Sequence, residues 1–280
     1  AGSGANAVGN GNGASAAFSL PSAVAWAADG IIYVAEKTGA VVRRIVPAAN
    51  VATVVGAAGT HGFLDATGLA AKFRAPLGLA LHNGDTELAV ADTANHCIRR
   101  VTGIAAAKTV STYAGSTAQV AGFVDGPNAR FDHPNYVAID AAGNLFAADL
   151  GNAAVRKVAA AGAVVLTSAK AHLVQLYSAV DFPTFPPRMV PTMPTTHTEY
   201  GSCVSSEGDA NAAGSPGTAR FNLPLGLALD PLADRVVVAD MLNQKVRLLL
   251  PTGTVMTWVG NGTMATVDGL GARACLDRPV

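Results

Sequence analysis

An acid and an arginine recur seven residues apart at four places in the chain: Glu36 and Arg43, Asp92 and Arg99, Asp149 and Arg156, Asp240 and Arg247. A carboxylate beside a guanidinium could hold an anion, tune a proton-transfer group or form an ion pair. Asp65, Asp125 and Asp268 stand in glycine-rich loops, where calcium is the ion to consider. Six histidines, His61, His82, His96, His133, His172 and His197, are candidate zinc ligands.

Recurrence argues against catalysis by the first set. A reaction needs one asymmetric site, whereas a framework needs the same fastening in every unit. An acid at a strand end accepts hydrogen bonds from turn amides. Asn95, Asn152 and Asn243, three residues past three of the acids, suit the left-handed conformation of tight turns, and Gly39 replaces Asn in the first unit. Each arginine then lies diagonal to its acid across a hairpin. Calcium needs six or more oxygens, and no loop offers an Asp-x-Asp-x-Asp run, so the loop acids read as turn caps. The histidines fall at different repeat positions without ligand spacing. Neither a Gly-x-Ser-x-Gly elbow nor a phosphate loop is present. No catalytic residue, metal ligand or cofactor is therefore assigned, and the chain is read as a non-enzyme.

The elements that position these residues follow from a repeat. Phe-x-x-Pro runs from Phe18, Phe73, Phe131 and Phe221 to Pro21, Pro76, Pro134 and Pro224, and Leu276 leads to Pro279. Successive prolines stand 55, 58, 90 and 55 residues apart. After each comes an apolar strand, a turn, a strand ending in the acid, and a strand carrying the arginine. A further strand ends in Thr-x-x-Gly, as at Thr53, Thr112 and Thr257. No helical period is sustained, and glycine and proline punctuate throughout. The phenylalanines read as wedges between neighbouring units, each contributing roughly 2–3 kcal/mol on burial.

This pattern predicts an all-β fold: a β-propeller of four-stranded antiparallel blades. The blades span 21–75, 76–133, 134–223 and 224–278. Residues 1–20 read as the tail of a preceding blade or a closing strand, and 279–280 as the start of another. The same residues resemble the NHL-repeat family, most closely at Leu88–Arg100 and Val124–Val158. Departures are Glu36 for Asp, Gly39 for Asn, Leu276 for Phe, and the long third unit. The resemblance implies a larger ring of the six-bladed type, of which four complete blades are visible. It also keeps open a metal-dependent lyase or hydrolase with its site in the channel.

Function is expected where the repeat breaks. The third unit carries a proline-rich insertion, placed at about 163–197, between its third and fourth strands. Phe182, Phe185, Arg188, Met189 and Met193 lie on this extended strip and are the candidate partner contacts. The alternative places the fourth strand at Val164–Leu166 and the insertion after it. Lysine plus arginine equals aspartate plus glutamate at 19 each, which gives no pull toward nucleic acid. No apolar run approaches the roughly 20 residues needed to cross a bilayer. Among the three cysteines, Cys97 reads as a buried apolar residue, and Cys203 and Cys275 could pair. Asn261-Gly262-Thr263 is a glycosylation sequon. Together these suggest a non-catalytic protein-interaction or scaffolding propeller, extracellular or at the cell surface, with a cytoplasmic location as the alternative. Its partners would be other protein chains or the remaining blades.

Overall fold

The computed structural model describes residues 1–82, 84–105, 107–160, 221–230, 235–252, 254–268, 270 and 273–280, and the backbone of 165–170. The described chain is built of antiparallel strands and short 3-10 turns. The first sheet holds β1 (Gly11–Asn12), β2 (Pro21–Trp26), β3 (Ile32–Glu36), β4 (Val41–Ile45) and β5 (Asn50–Val55), in the order β1-β5-β4-β3-β2. The second holds β6 (Ala66–Thr67), β7 (Pro76–His82), β8 (Glu87–Asp92), β9 (Cys97–Thr102) and β10 (Thr109–Gly115), ordered β6-β10-β9-β8-β7. The third runs β11 (Pro134–Ile139), β12 (Leu145–Asp149), β13 (Ala154–Val158) and β14 (Val165–Lys170). The fourth runs β15 (Pro224–Asp230), β16 (Arg235–Asp240), β17 (Lys245–Leu249) and β18 (Val255–Val259).

Four-stranded meanders are thus supplemented in the first two sheets by a two-residue strand from the return loop. Within residues 1–20, Gly11–Asn12 pair with β5 at the outer edge of the first sheet, where Gly11 faces Val51. One expectation is corrected. Residues 165–170 form β14, paired with β13, so the fourth strand of the third sheet precedes the proline-rich stretch. Phe182, Phe185, Arg188, Met189, Met193 and Cys203 lie outside the described residues.

Local chemistry explains the repeat. Each of β2, β7, β11 and β15 begins with proline at a sheet edge, where the missing N–H costs no ladder bond. A register shift follows immediately, bending the strand. These edge strands neighbour one another in order, β2 beside β7, β7 beside β11, β11 beside β15. Between the sheets lie three apolar cores, each holding the phenylalanine of a Phe-x-x-Pro segment: Phe73, Phe131 and Phe221, the last beside Phe146. At Gly78 a Cβ would stand 2.8 Å from Tyr136 Cα, so glycine permits the close crossing of β7 and β11. Among the described residues the sheets do not close into a ring, and no helix is long and apolar enough to cross a membrane.

Candidate functional site

The recurring acids and arginines meet in every sheet. Glu36 Oε1 lies 2.5 Å from Arg43 Nη1, Asp92 Oδ2 2.9 Å from Arg99 Nη1, and Asp149 Oδ2 2.8 Å from Arg156 Nη1. Asp240 Oδ2 stands 3.6 Å from Arg247 Nη1. All eight side chains are buried. The second carboxylate oxygen accepts a backbone N–H from the incoming Phe-x-x-Pro segment: Ser19 at 2.8 Å, Arg74 at 2.7 Å, Asp132 at 2.7 Å and Asn222 at 2.6 Å. The acid therefore ties its own sheet to the strand entry beside it.

The asparagines join this knot. Asn95, Asn152 and Asn243 each donate to their acid at 2.8 Å. In the first sheet a Cβ at Gly39 would lie 2.6 Å from Glu36 Oε2. The longer Glu36 fills the asparagine's place, so Glu36 and Gly39 are one coupled departure from the pattern. Burial pushes the carboxyl of Asp92 up to about 6, of Asp149 to about 7 and of Asp240 to about 6, against the opposing pull of their hydrogen bonds and arginines.

The loop acids do more than cap turns, which corrects the sequence reading. Asp125 Oδ1 lies 2.6 Å from Arg156 Nη2, and Asp65 pairs with Arg99 Nη2. Asp65 also accepts from Thr112 N–H at 3.1 Å. Asn10 does the same work in the first sheet, with Arg43 Nη2 at 2.9 Å and Thr53 N–H at 3.0 Å. Aromatic faces complete the enclosure. The Arg99 guanidinium lies 4.5 Å from the Phe63 ring and 5.3 Å from Phe73; Arg156 lies 4.6 Å from Phe123 and 5.0 Å from Phe131. Both terminal nitrogens of Arg99 and Arg156 are thus engaged within the protein, and both side chains are shielded from solvent.

One constellation does not repeat. His96 ends the turn between β8 and β9 in the left-handed region (φ 54°), and His133 precedes Pro134 in the same region (φ 51°). Equivalent turn positions hold Ala40, Ala153 and Gln244; equivalent pre-proline positions hold Leu20, Ala75, Leu223 and Arg278. Between the two imidazoles stands Asp132, where other units have Ser19, Arg74, Asn222 and Asp277. His133 Nδ1 lies 2.6 Å from Asp132 Oδ1, and His96 Nδ1 lies 3.5 Å from the same oxygen. The rings stand edge to face with centroids 4.4 Å apart. His96 Nδ1 accepts the His133 backbone N–H at 3.2 Å, much as Gln244 Oε1 accepts Arg278 N–H at 2.6 Å. The hydrogen bond from His133 holds the Asp132 carboxyl below its ordinary value, and burial lowers the His96 pKa.

Sequence spacing did not reveal this cluster, because His96 and His133 are 37 residues apart and belong to different sheets. The available signal was that both break the repeat at positions otherwise filled mostly by alanine or leucine. Of the other histidines, His82 pairs with Glu87 at 3.6 Å, and His172 and His197 lie outside the described residues. Asn261 is exposed, with Nδ2 3.2 Å from Cys275 Sγ; Cys97 is buried.

No protein-family model matches the chain, and no curated protein matches it. Solved structures do. A chain of a nidogen/laminin complex superposes with a TM-score of 0.53 at 12% identity, over 90% of this chain and 66% of that one. A structural-genomics protein of unknown function from Bacteroides thetaiotaomicron gives 0.50 at 15% identity, over 99% of this chain and 67% of that one. Virginiamycin B lyase from Staphylococcus aureus gives 0.48 at 10% identity, and this chain spans about half of its length (55%). The fold is β-propeller-like. At these identities the likeness concerns architecture alone.

Proposed function

We propose that the chain is a non-catalytic protein-interaction or scaffolding propeller of the NHL-repeat type, working in an extracellular or cell-surface assembly. The observation that supports this is a pair of open sheet faces with the make-up of an interface. Three and five residues past the proline, Leu79 and Leu81, Val137 and Ile139, and Leu227 and Leu229 all pack into cores between sheets. In the first sheet the same positions are Val24 and Trp26, and Trp26 is 77% exposed. On the last sheet Trp258, the counterpart of the core residues Val54 and Tyr113, is 54% exposed. Large apolar side chains grouped on a surface mark contact sites. Other chains, or further sheets of the same kind, are the partners that such faces fit. The exposed sequon at Asn261 is consistent with an outward location.

Sedimentation velocity over a concentration series tests the reading. Reversible association is expected, and Trp26→Ser with Trp258→Ser should abolish it. A wild-type chain that stays monomeric at every concentration and binds no sheet-bearing partner would overturn it. A second reading, a metal-dependent lyase or hydrolase, is supported by the His96–Asp132–His133 cluster and would require turnover of a substrate at that cluster.

A further inference from the structure

We propose that His96, Asp132 and His133 form a binding site for one divalent transition-metal cation of the zinc type, at the seam between the second and third sheets. The inference holds whether or not the chain is catalytic.

First, the frame does not require imidazoles at these two positions. Ala40 and Ala153 stand where His96 does, and Leu20, Ala75 and Leu223 where His133 does, all with the same left-handed backbone. Second, the donor set suits the ion. Two imidazoles and a carboxylate are the ligands zinc takes when a fourth position stays open. One ligand atom from each of the three residues falls within 4.8 Å of the others. The side chains of Asp132 and His133 are 31% and 33% exposed, so the fourth position faces water. Third, the carboxylate is held in place. Asp132 N–H is bound by Asp149 Oδ1 at 2.7 Å, and its carbonyl accepts Gly151 N–H at 2.8 Å. At Gly151 a Cβ would stand 2.5 Å from Asp132 Oδ2, so glycine makes room for that carboxyl group.

The chemistry of occupation is an exchange. The short hydrogen bond between His133 Nδ1 and Asp132 Oδ1 places a proton where the cation would sit. Binding moves that proton: Nδ1 gives it up while Nε2 of the same neutral ring takes one from solvent, so the imidazole changes tautomer, and the two atoms move apart to become adjacent ligands. His96 contributes Nδ1, exchanging its 3.2 Å contact with the His133 backbone N–H for the metal bond and keeping its proton on Nε2. Arg74 opposes the added charge but is exposed and free to turn outward.

Calorimetric titration of the 280-residue chain with zinc chloride, slightly above neutral pH, tests the site. One equivalent should bind. His96→Ala, Asp132→Asn and His133→Ala should each weaken binding at least about tenfold, since even outer-shell changes cost that much. His61→Ala should change nothing. Cobalt chloride added to the unaltered chain gives a readout independent of how the variants fold: the intense visible bands of a tetrahedral site. Absence of saturable binding, affinity unchanged in all three variants, or loss of binding in His61→Ala would each overturn the proposal.

Discussion

Asp92 and Arg99 close a buried diagonal across one hairpin: Asp92 faces Cys97, Arg99 faces Val90, and their charged ends meet at 2.9 Å. Removing one partner strands the other charge without solvent. Arg99→Met should therefore destabilise the chain by about 3–5 kcal/mol. The double variant Arg99→Met with Asp92→Leu should lose less than the two single losses combined. Urea denaturation of the four proteins measures both statements. Strict additivity would show that the pair does not act as a unit.

The outer acid is a different case. Asp65 is partly exposed, and in the first sheet the neutral Asn10 fills the same place with the same two contacts. What the position requires is an acceptor, not a charge. Asp65→Asn should cost within about 1 kcal/mol. Asp65→Ala leaves Arg99 Nη2 and Thr112 N–H short of an acceptor and should cost about 1–3 kcal/mol. Equal losses in the two variants, read from denaturation midpoints, would contradict this.

The repeat was legible because each recurring residue does a job visible at short range. Proline starts the edge strand, the acid ends the second strand, and the arginine returns diagonally to it. The third contact, from Asp65 or Asp125, was hidden because it spans more than 30 residues and joins a loop to the sheet that follows it in sequence. The Glu36–Gly39 pairing looked like two separate lapses; only the distance between them shows one substitution of volume. The His96–Asp132–His133 cluster was hidden for the same reason as Asp65, since neighbours across a sheet seam leave no spacing rule in the chain.

Close approach of the inner strands makes another claim. A Cβ at Gly78 would press on Asn135 O and on Tyr136 Cα across the seam. Backbone cannot yield as a side-chain tip can. Gly78→Ala should cost about 1–3 kcal/mol. Gly84, where an added Cβ meets nothing within 4 Å but φ is 61°, separates the two causes, since there only the left-handed backbone resists. Thermal denaturation should place the Gly78 variant well below a Gly84→Asn variant, because asparagine tolerates that backbone. A reversed order would mean that the seam has slack.

His96 offers the last test, one that separates its structural task from metal binding. Without metal, its Nδ1 is the acceptor for His133 N–H, a task that Gln244 Oε1 performs for Arg278 N–H two seams further along. Both residues hold left-handed backbone at nearly the same angle, 54° and 55°. Glutamine should thus replace histidine with little loss of stability when a chelator is present. His96→Ala removes the acceptor and should cost about 1 kcal/mol more than His96→Gln. Zinc added after the chelator is removed should raise the melting temperature of the unaltered chain and leave both variants where they were. If alanine and glutamine melt together under chelation, the His133 N–H has found water in place of His96, and the acceptor role is wrong.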